Sequence, residues 1–216
     1  RNTGVKVAKG NIISFLDSDD EWLKEKLELD IEAITKEQAD MVYSDMISIN
    51  VDTGEKQLCN RNFCDDIYFE LLQRNIIGGT SLISVRKEVF ENVGGFKEGL
   101  PSCQDWEFYL NIAEKYKIFK INKPLIKYYI HNNSISGNLE NAIKGHTFML
   151  SKVQTLIDNK SIYNNKQKSK IISEHYITIA MIYRRFKNFK ELKKTYIKAW
   201  KANKFNKIAI KNIIIS

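Results

Sequence analysis

The sequence is short of several things, and each shortage excludes a class of protein. Two prolines and ten glycines in 216 residues are too few for collagen-like repeats or an unstructured linker, and no low-complexity tract interrupts the chain. The longest apolar run, the C-terminal "IAIKNIII", falls well below the ~20 residues that span a bilayer, so a transmembrane segment is not expected. No signal peptide is visible. Cys59, Cys64 and Cys103 are odd in number and lack metal-ligand spacing, which suits free thiols in a reducing compartment, and a cytoplasmic location is expected. What is plentiful is core material: 43% hydrophobic and 11% aromatic residues suffice for one solid domain and a small second one.

Negative charge is scarce in only one part of the chain. Residues 1–139 carry 17 Lys and Arg against 22 Asp and Glu, whereas residues 140–216 carry 17 against 4. The asymmetry sets an expected boundary at 138/139, with a basic second part suited to phosphate-rich surfaces. A genome biased toward Lys, Ile and Asn would give the same charge without any partner.

Local patterns follow an α/β plan. Val5–Lys9 reads as a helix tail closed by Gly10, and "NIISFL" as a strand apolar on both faces, as in a parallel sheet. Trp22, Leu23, Leu27, Ile31 and Ile34 recur at helical spacing, "ADMVYSDMISI" reads as a strand, and Asp52–Glu55 as a turn. A strand through Ser81–Val85, a short helix, the Gly94–Gly95 pair and the helical "QDWEFYLNIAEKY" follow, and then closing strands on either side of Pro124. Beyond Asn138 the pattern is helical, with a helix pair around "FKNF". The chain opens on Arg1 within a pattern already under way, so an upstream segment is expected.

Three constellations could carry chemistry. Asp17, Asp19 and Asp20 stack negative charge behind an apolar strand, an arrangement that self-repulsion disfavours unless a cation sits there. Hard carboxylate oxygens at that place suit Mg²⁺ or Mn²⁺; capping of the following helix by Ser18 or Asp19 is the equal alternative. An EF-hand loop fails because Trp22 stands where glycine is required, and a phosphatase with Asp17 as nucleophile lacks supporting residues. Asp105 opens a helix, where the dipole favours its ionised form: a proton acceptor, or a cap. His131 follows a strand within the polar run "HNNSIS"; imidazole binds divalent ions, although a lone histidine is more often structural.

The order of the pieces is more specific than any one of them. "RNTGVKVAKGNIISFLDSDDEW", then "GGTSLISVRKEVFENVGGFKEGLPSCQDWEFYL", then "PLIKYYIHNNSIS" closely resembles glycosyltransferase family 2, over about residues 1–138. The resemblance implies a GT-A (Rossmann-like) α/β open sheet lacking its first strands as a catalytic domain at 1–138, followed by a basic helical extension at 139–216. It implies inverting transfer of a sugar from a nucleotide diphosphate sugar, a UDP-sugar in first place, to a glycan or lipid-linked acceptor hydroxyl in surface-polysaccharide or glycolipid synthesis. By the same resemblance Asp19 ligates the Mn²⁺ or Mg²⁺ bound to the diphosphate, and Asp17 contacts the ribose or donor sugar. Arg1 and Asn2 lie on the nucleotide side, Asp105 is the general base and His131 completes the metal shell. Gln104 replaces a common Glu and Asn111 a common Arg, departures that also suit an inactive GT-A-like scaffold module. The family's first strand and nucleotide-base loop would precede Arg1. The tail is similar to a single tetratricopeptide-type helix pair. Its basic face suits peripheral contact with an anionic membrane, and nucleic acid is not expected, because the aromatics fall on the apolar stripes.

Overall fold

The computed structural model of the protein describes residues 1–60, 66–130, 138–160 and 162–215. These form two compact units, Arg1–Leu71 with Asn75–Glu98 and Gln104–Ser134, and Leu72–Arg74 with Gly99–Cys103 and Ile135–Ser216.

The first unit runs α1 (Asn2–Val7), β1 (Ile12–Ser14), β2 (Glu21–Trp22), α2 (Lys26–Lys36), β3 (Met41–Asn50), β4 (Lys56–Cys59) and α3 (Ile67–Leu71). A 3-10 turn (Thr80–Leu82), β5 (Ile83–Arg86), α4 (Lys87–Asn92), α5 (Gln104–Ala113) and β6 (Ile118–Ile130) complete it. The sheet order is β1-β5-β3-β6-β2, with β4 added on β3. Among the described residues only β3 and β6 run parallel; the remaining pairs are antiparallel, so the sheet is mixed and open.

Three local expectations change. The "NIISFL" strand is paired not in a parallel ladder but antiparallel to β5, with Ile13 opposite Val85, since an apolar run looks alike in either direction. Trp22 and Leu23 do not join a helix: Trp22 pairs with Ile126 of β6 and α2 starts only at Lys26. The two closing strands are one strand, β6, which passes through Pro124. The register against β3 shifts at Ser44–Met46, opposite Pro124, and a bulge is where a residue without an N–H is tolerated. At the same bulge the buried Asp45 is neutralised by buried Lys120 at 3.0 Å.

The core feature that positions the site is a cluster of four phenylalanines. Phe15 lies 5.3 Å from Phe96 and 6.0 Å from Phe90, ring to ring, and Phe108 lies 4.5 Å from Phe96 and 5.1 Å from Phe90. Aromatic pairs at such spacing contribute about 0.5–1.5 kcal/mol each beyond burial. Phe15 ends the segment that leads to Asp17, and Phe108 sits one helical turn beyond Asp105. One apolar cluster therefore fixes the places of both acidic elements.

The second unit contains α6 (Leu139–Asn159), α7 (Asn165–Arg185), α8 (Phe189–Ala202) and α9 (Lys207–Ile215). Ile177 and Ala180 of α7 pack on Leu192, Tyr196 and Ala199 of α8 and on Ala209 of α9. All four helices open on an asparagine: Asn138, Asn164 and Asn188 accept from the amide three residues on, and Asn206 accepts from Ile208 and Ala209. The side-chain oxygen supplies a partner for amides that the helix itself leaves unpaired. Gly145 lets α6 lie directly on Ser102, because a Cβ there would stand 2.1 Å from the Ser102 hydroxyl and 2.6 Å from its carbonyl oxygen. No described helix is long and apolar enough to cross a membrane.

Candidate functional site

The acidic loop follows β1 directly and is tied to the turn before β5. The Asp17 amide donates to the Ser81 hydroxyl at 3.0 Å, Thr80 donates to the Asp17 carboxylate at 3.4 Å, and the Trp22 indole donates to the Ser81 carbonyl at 3.0 Å. Arg1 forms an ion pair with Asp17 and stands 5.9 Å from the centre of the Phe96 ring. Helix capping does not account for the cluster: α2 begins at Lys26, is preceded by Glu25 and has no side-chain cap. Asp19 is exposed and makes no hydrogen bond or ion pair among the described residues. Asp20 is half-buried, and its Oδ1 is shut off from solvent with no hydrogen-bond partner among the described residues. Burial holds its carboxyl above the usual range, with repulsion from Asp19 and Asp17 adding to this and hydrogen bonds from Ser81 and the Tyr129 main chain opposing it.

Asp105 sits in the first turn of α5, which is pinned by the Trp106 indole donating to the Leu71 carbonyl at 2.7 Å. Its carboxylate accepts from the Trp106 amide at 2.8 Å and from the Asn75 side chain at 3.1 Å. Desolvation raises its pKa; those hydrogen bonds and the nearby Arg1 charge oppose the rise without cancelling it. The residue as a whole is half-buried. A carboxylate with a raised pKa is a better proton acceptor than an ordinary surface aspartate.

Two residues that sequence reasoning missed join these elements. Asn75 accepts from the Ile77 and Gly78 amides at 3.1 and 2.9 Å and donates to Asp105, so it shapes the glycine turn and orients the carboxylate together. Tyr128, on β6, stands beside Gly79, where a Cβ would be 3.9 Å from its ring. Its hydroxyl is held above the ordinary tyrosine range by burial first, then by the charges of Asp20, Asp19, Asp17 and Asp105. No local pattern in "LIKYYIH" marks it.

The Asn2 amide is committed to the Gly95 turn: it donates to the Phe96 carbonyl at 2.8 Å and to Glu98 at 3.3 Å, and accepts from the Phe96 amide at 3.0 Å. His131 and Cys64 lie outside the described residues; Cys59 and Cys103 are free thiols. Asn111 donates to Glu107 at 3.0 Å within α5.

Among the described residues no group of three or more His, Cys, Asp and Glu side chains is placed to hold a metal ion. What the loop offers is an exposed, unengaged Asp19 beside Asp17, which is paired with Arg1; the unpartnered Asp20 oxygen is shut off from solvent. Mg²⁺ and ions like it are commonly held by one or two carboxylates, with phosphate and water completing the shell.

Comparison with known proteins shows the family and the fold. The family described as Glycosyltransferase like family 2 matches residues 1–199, which carries the match into the helical unit. An uncharacterized glycosyltransferase of Haemophilus influenzae is 30% identical over 67% of this chain and 51% of its own length. The UDP-Glc:alpha-D-GlcNAc-diphosphoundecaprenol beta-1,3-glucosyltransferase WfgD of Escherichia coli is 30% identical over 64% of this chain and 53% of its own. The putative teichuronic acid biosynthesis glycosyltransferase TuaG of Bacillus subtilis is 27% identical over 72% and 61%. The chain thus spans about half to three-fifths of the curated relatives it matches. S. aureus TarS 1–349, crystallised with UDP-GlcNAc, superposes with a TM-score of 0.61 at 17% identity, over 93% of this chain and 60% of that one, which shows the shared GT-A fold. With a family match running from Arg1 into α8, the chain belongs to Glycosyltransferase like family 2.

Proposed function

We propose that the intact protein is an inverting, divalent-metal-dependent glycosyltransferase. It takes a sugar from a nucleotide diphosphate sugar, a UDP-sugar in first place, and gives it to an acceptor hydroxyl of a surface polysaccharide or lipid-linked glycan. The observation that carries this reading is that the 75–81 segment meets both acidic elements, Asn75 donating to Asp105 while Thr80 and Ser81 bond to Asp17, and that the acidic loop caps no helix. The relatives named for teichuronic acid synthesis and for an undecaprenol-linked acceptor support the substrate class.

Each side chain has a role the geometry permits. Asp19, with Asp17 beside it, would hold Mn²⁺ or Mg²⁺; when bound, the ion offsets the charge that develops on the leaving diphosphate. Arg1 fixes Asp17 through their ion pair and places a second positive charge near the same region. Asn75 and the Trp106 amide hold Asp105 in one orientation, and its carboxylate receives the acceptor proton. The hydroxyl oxygen then forms a bond to the anomeric carbon, the bond from that carbon to the diphosphate oxygen breaks, and the electron pair departs with the nucleotide diphosphate. Attack from the Asp105 side, opposite the leaving group, gives inversion.

In the intact protein, Asp105→Asn is expected to lower transfer about 10²–10⁴-fold yet retain UDP binding in Mn²⁺, whereas Asp19→Ala loses both. Transfer by either variant at the wild-type rate contradicts the roles assigned here.

A further inference from the structure

The geometry points to the turn between α8 and α9 as a docking site for an anionic lipid bilayer. Phe205 is 88% exposed, the highest value for any large apolar side chain among the described residues. Fraying does not explain this, because the turn is tied down on both sides of it. Asn203 accepts from the Phe205 amide at 3.1 Å through its side chain and from the Asn206 amide at 3.0 Å through its carbonyl. Asn206 is buried; it caps α9 and donates to Ser173 at 2.9 Å and Glu174 at 3.2 Å. The neighbouring Ala209 is fully buried in the helical core. An ordered turn therefore holds a phenylalanine out into water, where burying it would be favourable.

The surroundings indicate what would cover it. Trp200, Ile208 and Ile210 are also exposed, and Lys201, Lys204, Lys207 and Lys211 are exposed among them. Residues 192–216 contain seven lysines and no Asp or Glu. Aromatic and aliphatic side chains interspersed with lysine match the boundary between anionic headgroups and acyl chains, with lysines at phosphate level and the apolar residues below. The two isoleucines favour hydrocarbon over nucleobases, since stacking on bases uses flat rings and gives isoleucine nothing. The exposed aromatics at 200 and 205 also differ from the expectation that all aromatics lie on apolar stripes.

The proposal stands apart from the transfer reading and is tested without substrate. The full-length protein is sedimented with phosphatidylcholine vesicles containing about 30 mol % phosphatidylglycerol and with phosphatidylcholine alone, at low and high salt. Binding only to the anionic vesicles, lost at high salt, is expected. Phe205→Asp should weaken that binding about tenfold, as should Lys201, Lys204 and Lys207 changed together to Gln, with wild-type melting temperature in both. UDP binding by these variants, measured in parallel with Mn²⁺, should equal that of wild type; loss of UDP binding in wild type bears only on the transfer reading. No vesicle binding by wild type, or Phe205→Asp binding as wild type does, overturns the proposal. So does a dimer that Phe205→Asp disperses, or capture of a single-stranded oligonucleotide without vesicles; these assign the face to a second copy or to nucleic acid.

Discussion

The two units treat polar groups in opposite ways. In the sheet unit the groups nearest the site are held against their preference: Asp20 and Asp105 have carboxyl pKa values raised by burial, and Asp20 keeps an oxygen without a partner among the described residues. In the helical unit asparagines are spent on caps that complete hydrogen bonding. Its half-buried His146 and buried His175 are kept neutral, each with a pKa pushed down to about 4 by desolvation. Polar groups that cost stability are tolerated where they bring charge to a ligand, and polar groups that add stability mark scaffold.

The sharpest way to break that contrast is Asp105→Asn. Transfer should fall about 10²–10⁴-fold, the usual worth of a general base. The same variant should melt at a higher temperature than wild type, because the folded state no longer holds an ionised carboxylate in a desolvated place. A carboxyl raised by folding contributes stability below its unfolded pKa and loses it as pH rises through the folded value. A lower melting temperature for Asp105→Asn at pH 7 would make Asp105 a structural residue.

Next in size is Phe96→Ala, which opens the aromatic cluster beneath both acidic elements and should cost about 3–5 kcal/mol in chemical denaturation. A smaller loss would mean that the cluster does not fix the site. The helical unit should show the opposite pH slope to Asp105. His146 and His175 have depressed pKa values, so their contribution is complete above about 6.5 and is lost as pH falls through about 4. Each is worth about 3 kcal/mol across that window. His175→Gln, which can still donate to the Leu72 carbonyl that His175 meets at 2.9 Å, should flatten the acid limb of a melting curve; an unchanged limb would place the acid sensitivity elsewhere. Smallest is Asn164→Ala, which removes the capping box with Gln167 and should cost about 1 kcal/mol.

Much of this was legible in the sequence where the signal is local. The acidic loop behind an apolar strand, the helix that opens near Asp105 and the helical tail all follow from patterns within a dozen residues. What escaped depends on distant partners. The direction of β1 is set by β5, about seventy residues away, and Pro124 sits inside one strand only because β3 bulges opposite it. Asn75 meets Asp105 thirty residues on, and Tyr128 becomes notable only once β6 brings it beside Gly79. The abundance of asparagine looked compositional, yet Asn138, Asn164, Asn188 and Asn206 each start a helix.

The most direct test of the central claim is calorimetric titration of UDP into the intact protein with and without Mn²⁺, for wild type and Asp19→Ala. The account predicts tight UDP binding that requires Mn²⁺ in wild type and is lost in Asp19→Ala. Equal UDP binding by the two proteins, or binding indifferent to Mn²⁺, would contradict it.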